Sequence, residues 1–236
     1  MLKVEFACKY YPGAIALENV AFSAKPGETI GLFGSNAAGK STLLRSIAGM
    51  QQLSYGEIKI LGKDARKSDD VSLISDGGSF FPDQTAAEHA RFYQQMQPDF
   101  NQMKFRQLLD YFHLPADKPI HQLSHGQQGK LEICIGFSRD RPVLLMDEPF
   151  LDKDMMTRAD FTKLLAALIE PEQLLIIATH LVNDVAPLIS RALLLQEGCL
   201  AADVLMDQIH ARGLSLSEWL FQTAGYQKPD LTPFLK

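Results

Sequence analysis

TIGLFGSNAAGKST, Thr29 to Thr42, is the stretch on which the fold turns. Its first five residues, Thr29 to Phe33, form a short apolar run of the kind that makes a buried strand. The next nine, Gly34 to Thr42, match GxxxxGK[ST] and lead into Leu43, Leu44 and Ile47, the apolar stripe of a helix. A strand, a glycine-bounded loop and a helix start, in that order, make a phosphate cradle. Backbone N–H groups and the positive end of the helix surround anionic oxygens, and Gly39 lets the main chain approach closely. Lys40 adds a point charge, and the Ser41 hydroxyl is placed to ligate a divalent cation bridging the phosphates. A chance match to the four fixed positions has odds on the order of one in a hundred for a chain of this length. Gly49 offers a helix stop.

Working outward, similar apolar runs recur at Val71 to Ile74, Val143 to Met146 and Leu174 to Ala178. Separated by longer polar and helical stretches, they predict a mainly parallel, buried sheet in an α/β fold. Three of the four runs lead straight into polar residues, where open α/β sheets place their ligands, so the sites should converge. From about Phe80 to Ile120 the spacing of Phe92, Tyr93, Met96, Phe100, Phe105, Leu108, Leu109 and Phe112 predicts amphipathic helices whose aromatics pack a core. This reads as a helical insertion, extending to about residue 140 within a domain spanning residues 1–200. After Gly198 strand signals fade, and Asp203 to Lys236 reads as a helical tail punctuated by Pro229 and Pro233, within a C-terminal segment 201–236.

The run Val143 to Met146 ends in Asp147 and Glu148, two carboxylates at the end of a strand expected beside the phosphate loop. Asp147 is suited to the shell of a Mg²⁺ ion and Glu148 to orienting or deprotonating an attacking water. Pro149 ends the strand.

The 236 residues carry 46% hydrophobic and 22% charged residues, enough apolar material for a substantial core and no low-complexity tract. A net charge of -5 and the lack of a large Lys/Arg block argue against a nucleic-acid partner. Cys8, Cys134 and Cys199 are far apart and odd in number, which suggests neither a disulfide framework nor a metal cluster and fits a reducing cytosol. The N-terminus has no secretory pattern, and the apolar runs are far shorter than the roughly 20 residues that span a bilayer.

LSHGQQGK, Leu123 to Lys130, lies shortly before the acidic pair. With the phosphate loop and the acidic strand it makes the chain resemble the nucleotide-binding domain of the ATP-binding-cassette family, over about Met1 to Leu200. The family's signature reads LSGGQ, and its order of phosphate loop, signature, then acidic strand is the order here. The resemblance implies a phosphate-loop NTPase core, with N-terminal antiparallel strands and an inserted α-helical subdomain. It implies ATP as substrate, Mg²⁺ as cofactor, and a head-to-tail pair of cassettes, identical or paralogous, each ATP lying between one phosphate loop and the partner's signature. Gly34, Ser35, Asn36, Ala37, Ala38, Gly39, Lys40, Ser41 and Thr42 would then hold one nucleotide, and Ser124, Gly126 and Gln127 the partner's. By the same resemblance His180, in IIATHL, matches the switch histidine at the γ-phosphate. Asp154, with Asp152 as the alternative, matches the aspartate of the dimer-contact loop. Tyr11, with Tyr10 as the alternative, matches the aromatic that stacks on adenine.

The chain departs from the family pattern at three positions. Ala37 and His125 stand where relatives carry glycine. In VSLISDGGSFF, Asp76 stands where the family keeps a Mg²⁺-touching glutamine, so Asp76 joins Ser41 and Asp147 as an expected metal contact. FFPDQTAAEHARFY and QPDF, with the short helical region between loop and signature, resemble export-type cassette ATPases, including those of antibiotic or peptide efflux. The implied partner is a separate transmembrane permease, placing the protein in the cytoplasm at the inner face of the cell membrane. A cassette ATPase serving a cytosolic assembly is the alternative.

Overall fold

The computed structural model describes residues 1–75, 80–97, 99–149 and 158–224. Asp76, Asp152 and Asp154 lie outside them.

The four runs read from the sequence are neighbours in one six-stranded sheet. Strands β3 (Thr29–Phe33), β6 (Val71–Ser75), β7 (Val143–Asp147) and β8 (Leu174–Ala178) stand in the order β3-β8-β7-β6, all parallel. Beyond β3 come β9 (Arg191–Gln196), parallel to it, and β10 (Cys199–Leu205), antiparallel to β9. A second, antiparallel sheet holds β2 (Ala14–Ala24), β1 (Leu2–Tyr11), β4 (Tyr55–Ile60) and β5 (Lys63–Asp64) in that order, so the expected N-terminal antiparallel strands are present.

The parallel strands are continuous apolar runs because both of their faces are covered. Side chains alternate across a strand. Val143 and Leu145 of β7 enter a core shared with the antiparallel sheet and α1 (Lys40–Ile47), whereas Leu144 and Met146 enter a core built by the other helices. Those helices are α2 (Ala86–Met96), α3 (Gln102–Tyr111), α4 (His125–Ser138), α5 (Arg158–Leu168), α6 (Val182–Val185), α7 (Met206–His210) and α8 (Leu216–Thr223). Each fully buried Leu, Ile or Val contributes roughly 1.5–3 kcal/mol. No helix among the described residues is long and apolar enough to cross a membrane.

Between β6 and β7 the described chain is helical. Phe100, Phe105, Leu108, Leu109 and Phe112 are buried there as their spacing predicts, while Phe92 and Met96 face outward. α2 buries Ala86, His89 and Ala90, while Phe92, at the flank of that stripe, and Met96, at the last turn of the helix, stay exposed.

The tail expected to be helical after Gly198 begins with a strand. β10 pairs with β9 through a two-residue turn in which Glu197 and Gly198 both have positive φ, 48° and 81°. That is the backbone of a type I′ hairpin, a turn usually signalled by Asn or Asp before Gly, so Glu-Gly hid it. α7 and α8 then follow, and residues 225–236 lie outside the description.

α4 crosses β6 at Gly136. A methyl group there would stand 2.2 Å from Ile74 Cγ1, and the Ser72 hydroxyl donates to the Gly136 carbonyl at 2.8 Å. Gly136→Val is therefore expected to destabilise the fold by about 1–3 kcal/mol through overpacking. The readout is a lower urea midpoint at unchanged slope; an unmoved midpoint would show that the crossing tolerates a larger side chain.

Candidate functional site

The pairing register sets the site. Leu32 pairs with Ala178, Ala178 with Asp147, and Asp147 with Ser75. The four strands end at nearly one level, so the segments that leave them converge at the carboxyl edge, where open α/β folds bind ligands.

From β3 the chain enters the loop Gly34 to Gly39. Gly34 has φ 149° and Gly39 φ 104°; a Cβ on either would lie 2.3 Å from a carbonyl oxygen, of Leu195 and of Ala16 respectively. Only glycine fits at these two points, and the loop closes directly onto the first turn of α1. Ala37 also has a positive φ, 64°, so the alanine that departs from the family pattern occupies a left-handed position that glycine would adopt without strain.

Lys40, the first residue of α1, is buried and donates through Nζ to the carbonyls of Gly34 at 2.8 Å and Ser35 at 3.0 Å. Burial pulls its ammonium below the ordinary lysine value, while the Glu148 and Asp147 carboxylates oppose that shift. This electrostatic coupling ties the two acids to Lys40. A cleft of about 400 Å³ is lined by Ala14, Ile15, Ala16, residues 36–42, Asp147 and Glu148.

Asp147 closes β7 and is buried. Glu148 turns out of the ladder at φ 52°, its N–H donating to the Ala178 carbonyl at 2.8 Å. The left-handed turn carries its carboxylate toward His180, two residues past β8. Glu148 Oε2 accepts from the His180 N–H at 3.3 Å and lies 2.9 Å from His180 Nδ1. An apolar-strand pattern predicts where β7 ends, but not this turn, because Glu carries no preference for positive φ.

Tyr11, Ser124, Gly126 and Gln127 stand apart from the cleft. Tyr11 ends β1 at the hairpin that supplies Ala14 to Ala16; it is not among the lining residues, and the Lys9 ammonium sits 5.1 Å from its ring centroid. Ser124, Gly126 and Gln127 lie at the start of α4. There the Ser124 hydroxyl accepts from the Gln127 N–H at 3.2 Å and the Gln127 Oε1 from the Ser124 N–H at 2.9 Å. This capping box fixes the turn. Ser124 precedes the Gly136 crossing by about 18 Å along the helix axis, and β6 is three strands from β3. None of the three lines the cleft next to Lys40.

The donor set suits Mg²⁺ with a nucleotide triphosphate. Among the described residues no group of three or more His, Cys, Asp or Glu could hold a metal unaided. Mg²⁺ characteristically takes one or two carboxylates and completes its shell with substrate phosphates and water.

A family model described as ABC transporter matches residues 17–151, more than half of the chain. The SkfA peptide export ATP-binding protein SkfE of Bacillus subtilis (strain 168) is 26% identical over 227 residues, covering 93% of each chain. The spermidine/putrescine import ATP-binding protein PotA of Spiroplasma citri is 28% identical over 85% of this chain and 60% of its own length. Among solved structures, an ATP-binding subunit of an ABC transporter superposes with a TM-score of 0.85 at 23% identity, covering 95% of this chain and 99% of the other. A dimeric bacterial ABC transporter cassette, MJ0796, gives 0.76 at 23% identity over 87% and 99%. With a family model matching more than half of its length, this chain belongs to the ABC transporter family, whose cassettes bind and hydrolyse ATP.

Proposed function

We propose that the chain is the motor of a transporter: two cassettes close head to tail on two Mg-ATP, hydrolyse them, and so drive a separate transmembrane permease, in the export direction. The observation that carries this reading is the separation within one chain. Lys40, Ser41, Asp147 and Glu148 converge on one cleft, whereas Ser124, Gly126 and Gln127 present a capped helix start elsewhere. A site split in this way is completed by a second chain.

In this reading the amides of residues 34–42 and the start of α1 hold the phosphates. Two of the three Lys40 N–H donors serve the loop carbonyls, and the third is directed to a phosphate oxygen. Ser41 and Asp147, with Asp76 as a third candidate, would hold Mg²⁺, whose charge would offset the negative charge that develops on the phosphates. Glu148 accepts the proton of the attacking water, and His180 orients Glu148 and reaches the γ-phosphate. Tyr11, at the rim, stacks on adenine. The signature of one cassette binds the γ-phosphate held by the other through Ser124 and the amides at the head of α4.

Export is favoured by the resemblance of FFPDQTAAEHARFY and QPDF to export-type cassettes and by the likeness to a protein named for peptide export. The permease would hold the protein at the inner face of the cell membrane; the test is a pull-down from detergent-solubilised native membranes. A multi-span membrane protein is the expected catch, and soluble partners alone would favour a cytosolic assembly.

Two substitutions test the chemistry. Glu148→Gln should retain ATP binding, lose about 10²–10⁴-fold in turnover, and accumulate as a nucleotide-bound dimer in size-exclusion chromatography; full turnover would remove Glu148 from the reaction. Lys40→Ala should weaken ATP binding by about tenfold or more, the equivalent of one charged hydrogen bond at 1.5–3 kcal/mol. Calorimetric titration of ATP reads this directly.

A further inference from the structure

His89, on the buried face of α2, is 1% exposed and lies outside the nucleotide cleft. Its ring is boxed by Phe80 edge-on at 5.4 Å, Phe81 at 5.5 Å and Tyr93 at 6.2 Å between centroids. Nε2 accepts the backbone N–H of Phe81 at 2.9 Å. An amide N–H only donates, so Nε2 must be the bare nitrogen and the proton resides on Nδ1. Among the described residues Nδ1 has no partner although it is buried. An unsatisfied buried donor is destabilising, and apolar residues of similar volume would avoid that cost.

Phe81 lies in a strap, Phe80 to Thr85, that is bonded to the turn just before the signature. The Pro82 carbonyl accepts from the His121 N–H at 2.9 Å and lies 3.0 Å from His121 Nδ1; the Gln84 carbonyl accepts from Ile120 N–H at 2.9 Å. Gln128 then donates to the carbonyls of Ile120 and Leu123, next to Ser124.

We propose that His89 is a positioning residue: as a neutral base it pins the strap at Phe81 and thereby fixes the turn that leads into the signature. The inference rests on the reading of Ser124 to Gln127 as the surface that meets the partner's nucleotide. The imidazole makes the pin sensitive to protons. Once protonated, Nε2 carries a hydrogen and cannot accept from Phe81. Burial holds the ring below the ordinary histidine value of 6.5, so it is neutral at neutral pH. The folded, pinned state binds fewer protons than the released one, and its advantage is lost as pH falls below that value. Charged groups on the adjoining elements are Asp83 on the strap, Glu88 and Arg91 on α2, and His121 on the turn; all are exposed, and burial alone shifts His89. The His121 backbone N–H holds the Pro82 carbonyl independently of its ring.

The test pairs His89→Gln, which keeps an acceptor but does not titrate, with His89→Leu, which removes the acceptor. Amide exchange at Phe81, corrected for its intrinsic pH dependence and measured without nucleotide, should lose protection severalfold in the wild-type chain between about pH 7.5 and about pH 5.5. His89→Gln should show no such loss. In ATPase assays His89→Leu should lower kcat severalfold at unchanged KM, while His89→Gln keeps the neutral rate and loses the acid-side decline. If His89→Leu does not fold, the comparison of wild type with His89→Gln still decides. Equal Phe81 protection at both pH values in the wild type would overturn the pin. A pin that behaves as expected beside an ATPase indifferent to both substitutions would overturn its link to the signature. Failure of the motor reading shows separately, in Glu148→Gln.

Discussion

Leu32, Ala178, Asp147 and Ser75 stand side by side across four parallel strands, and the phosphate loop, Glu148 and His180 are reached from this line. One residue beyond it lie Phe33 and Glu148, and two beyond it Gly34 and His180. A slip of one residue in any of the pairings would turn that strand's side chains to the wrong face. Because each face is packed by a different apolar core, such a slip would expose one set of Leu, Ile and Val and is strongly disfavoured. The position of the carboxylates relative to the phosphate loop is therefore held by the core and not by contacts among the polar residues themselves.

Within that frame the polar groups are brought close at a local cost. Lys40 is partly stripped of water and compensated by two carbonyls and two carboxylates. Glu148 and Ala37 both sit at left-handed φ, where a side chain costs roughly 1–2 kcal/mol. Such strain persists only where surrounding structure over-determines it, and here it marks the two rims of one cleft.

The signature turn obeys a different constraint. Its capping box makes it rigid on its own account, and its location is set at a distance, by the α4–β6 crossing at Gly136 and by the strap that His89 and His121 hold. Two rigid half-sites that stand apart within one chain give a second chain something to complete.

The sequence by itself determined the sheet and its chemistry-bearing ends. Strands buried on both faces must be uninterrupted apolar runs, so β3, β6, β7 and β8 were legible to within a residue, and the phosphate loop and acidic pair follow two of them directly. It left β10 hidden, because an edge strand of alternating polarity after a Glu-Gly turn carries neither a buried run nor a standard turn signal. It also could not distinguish His89 from any other residue of an amphipathic helix, nor place Phe92 and Met96 on the outer face. Only the tertiary structure decided which residues meet. The strand order, the φ of Glu148, its approach to His180, and the distance between signature and cleft arise from pairings across more than thirty positions of sequence, which local pattern does not encode.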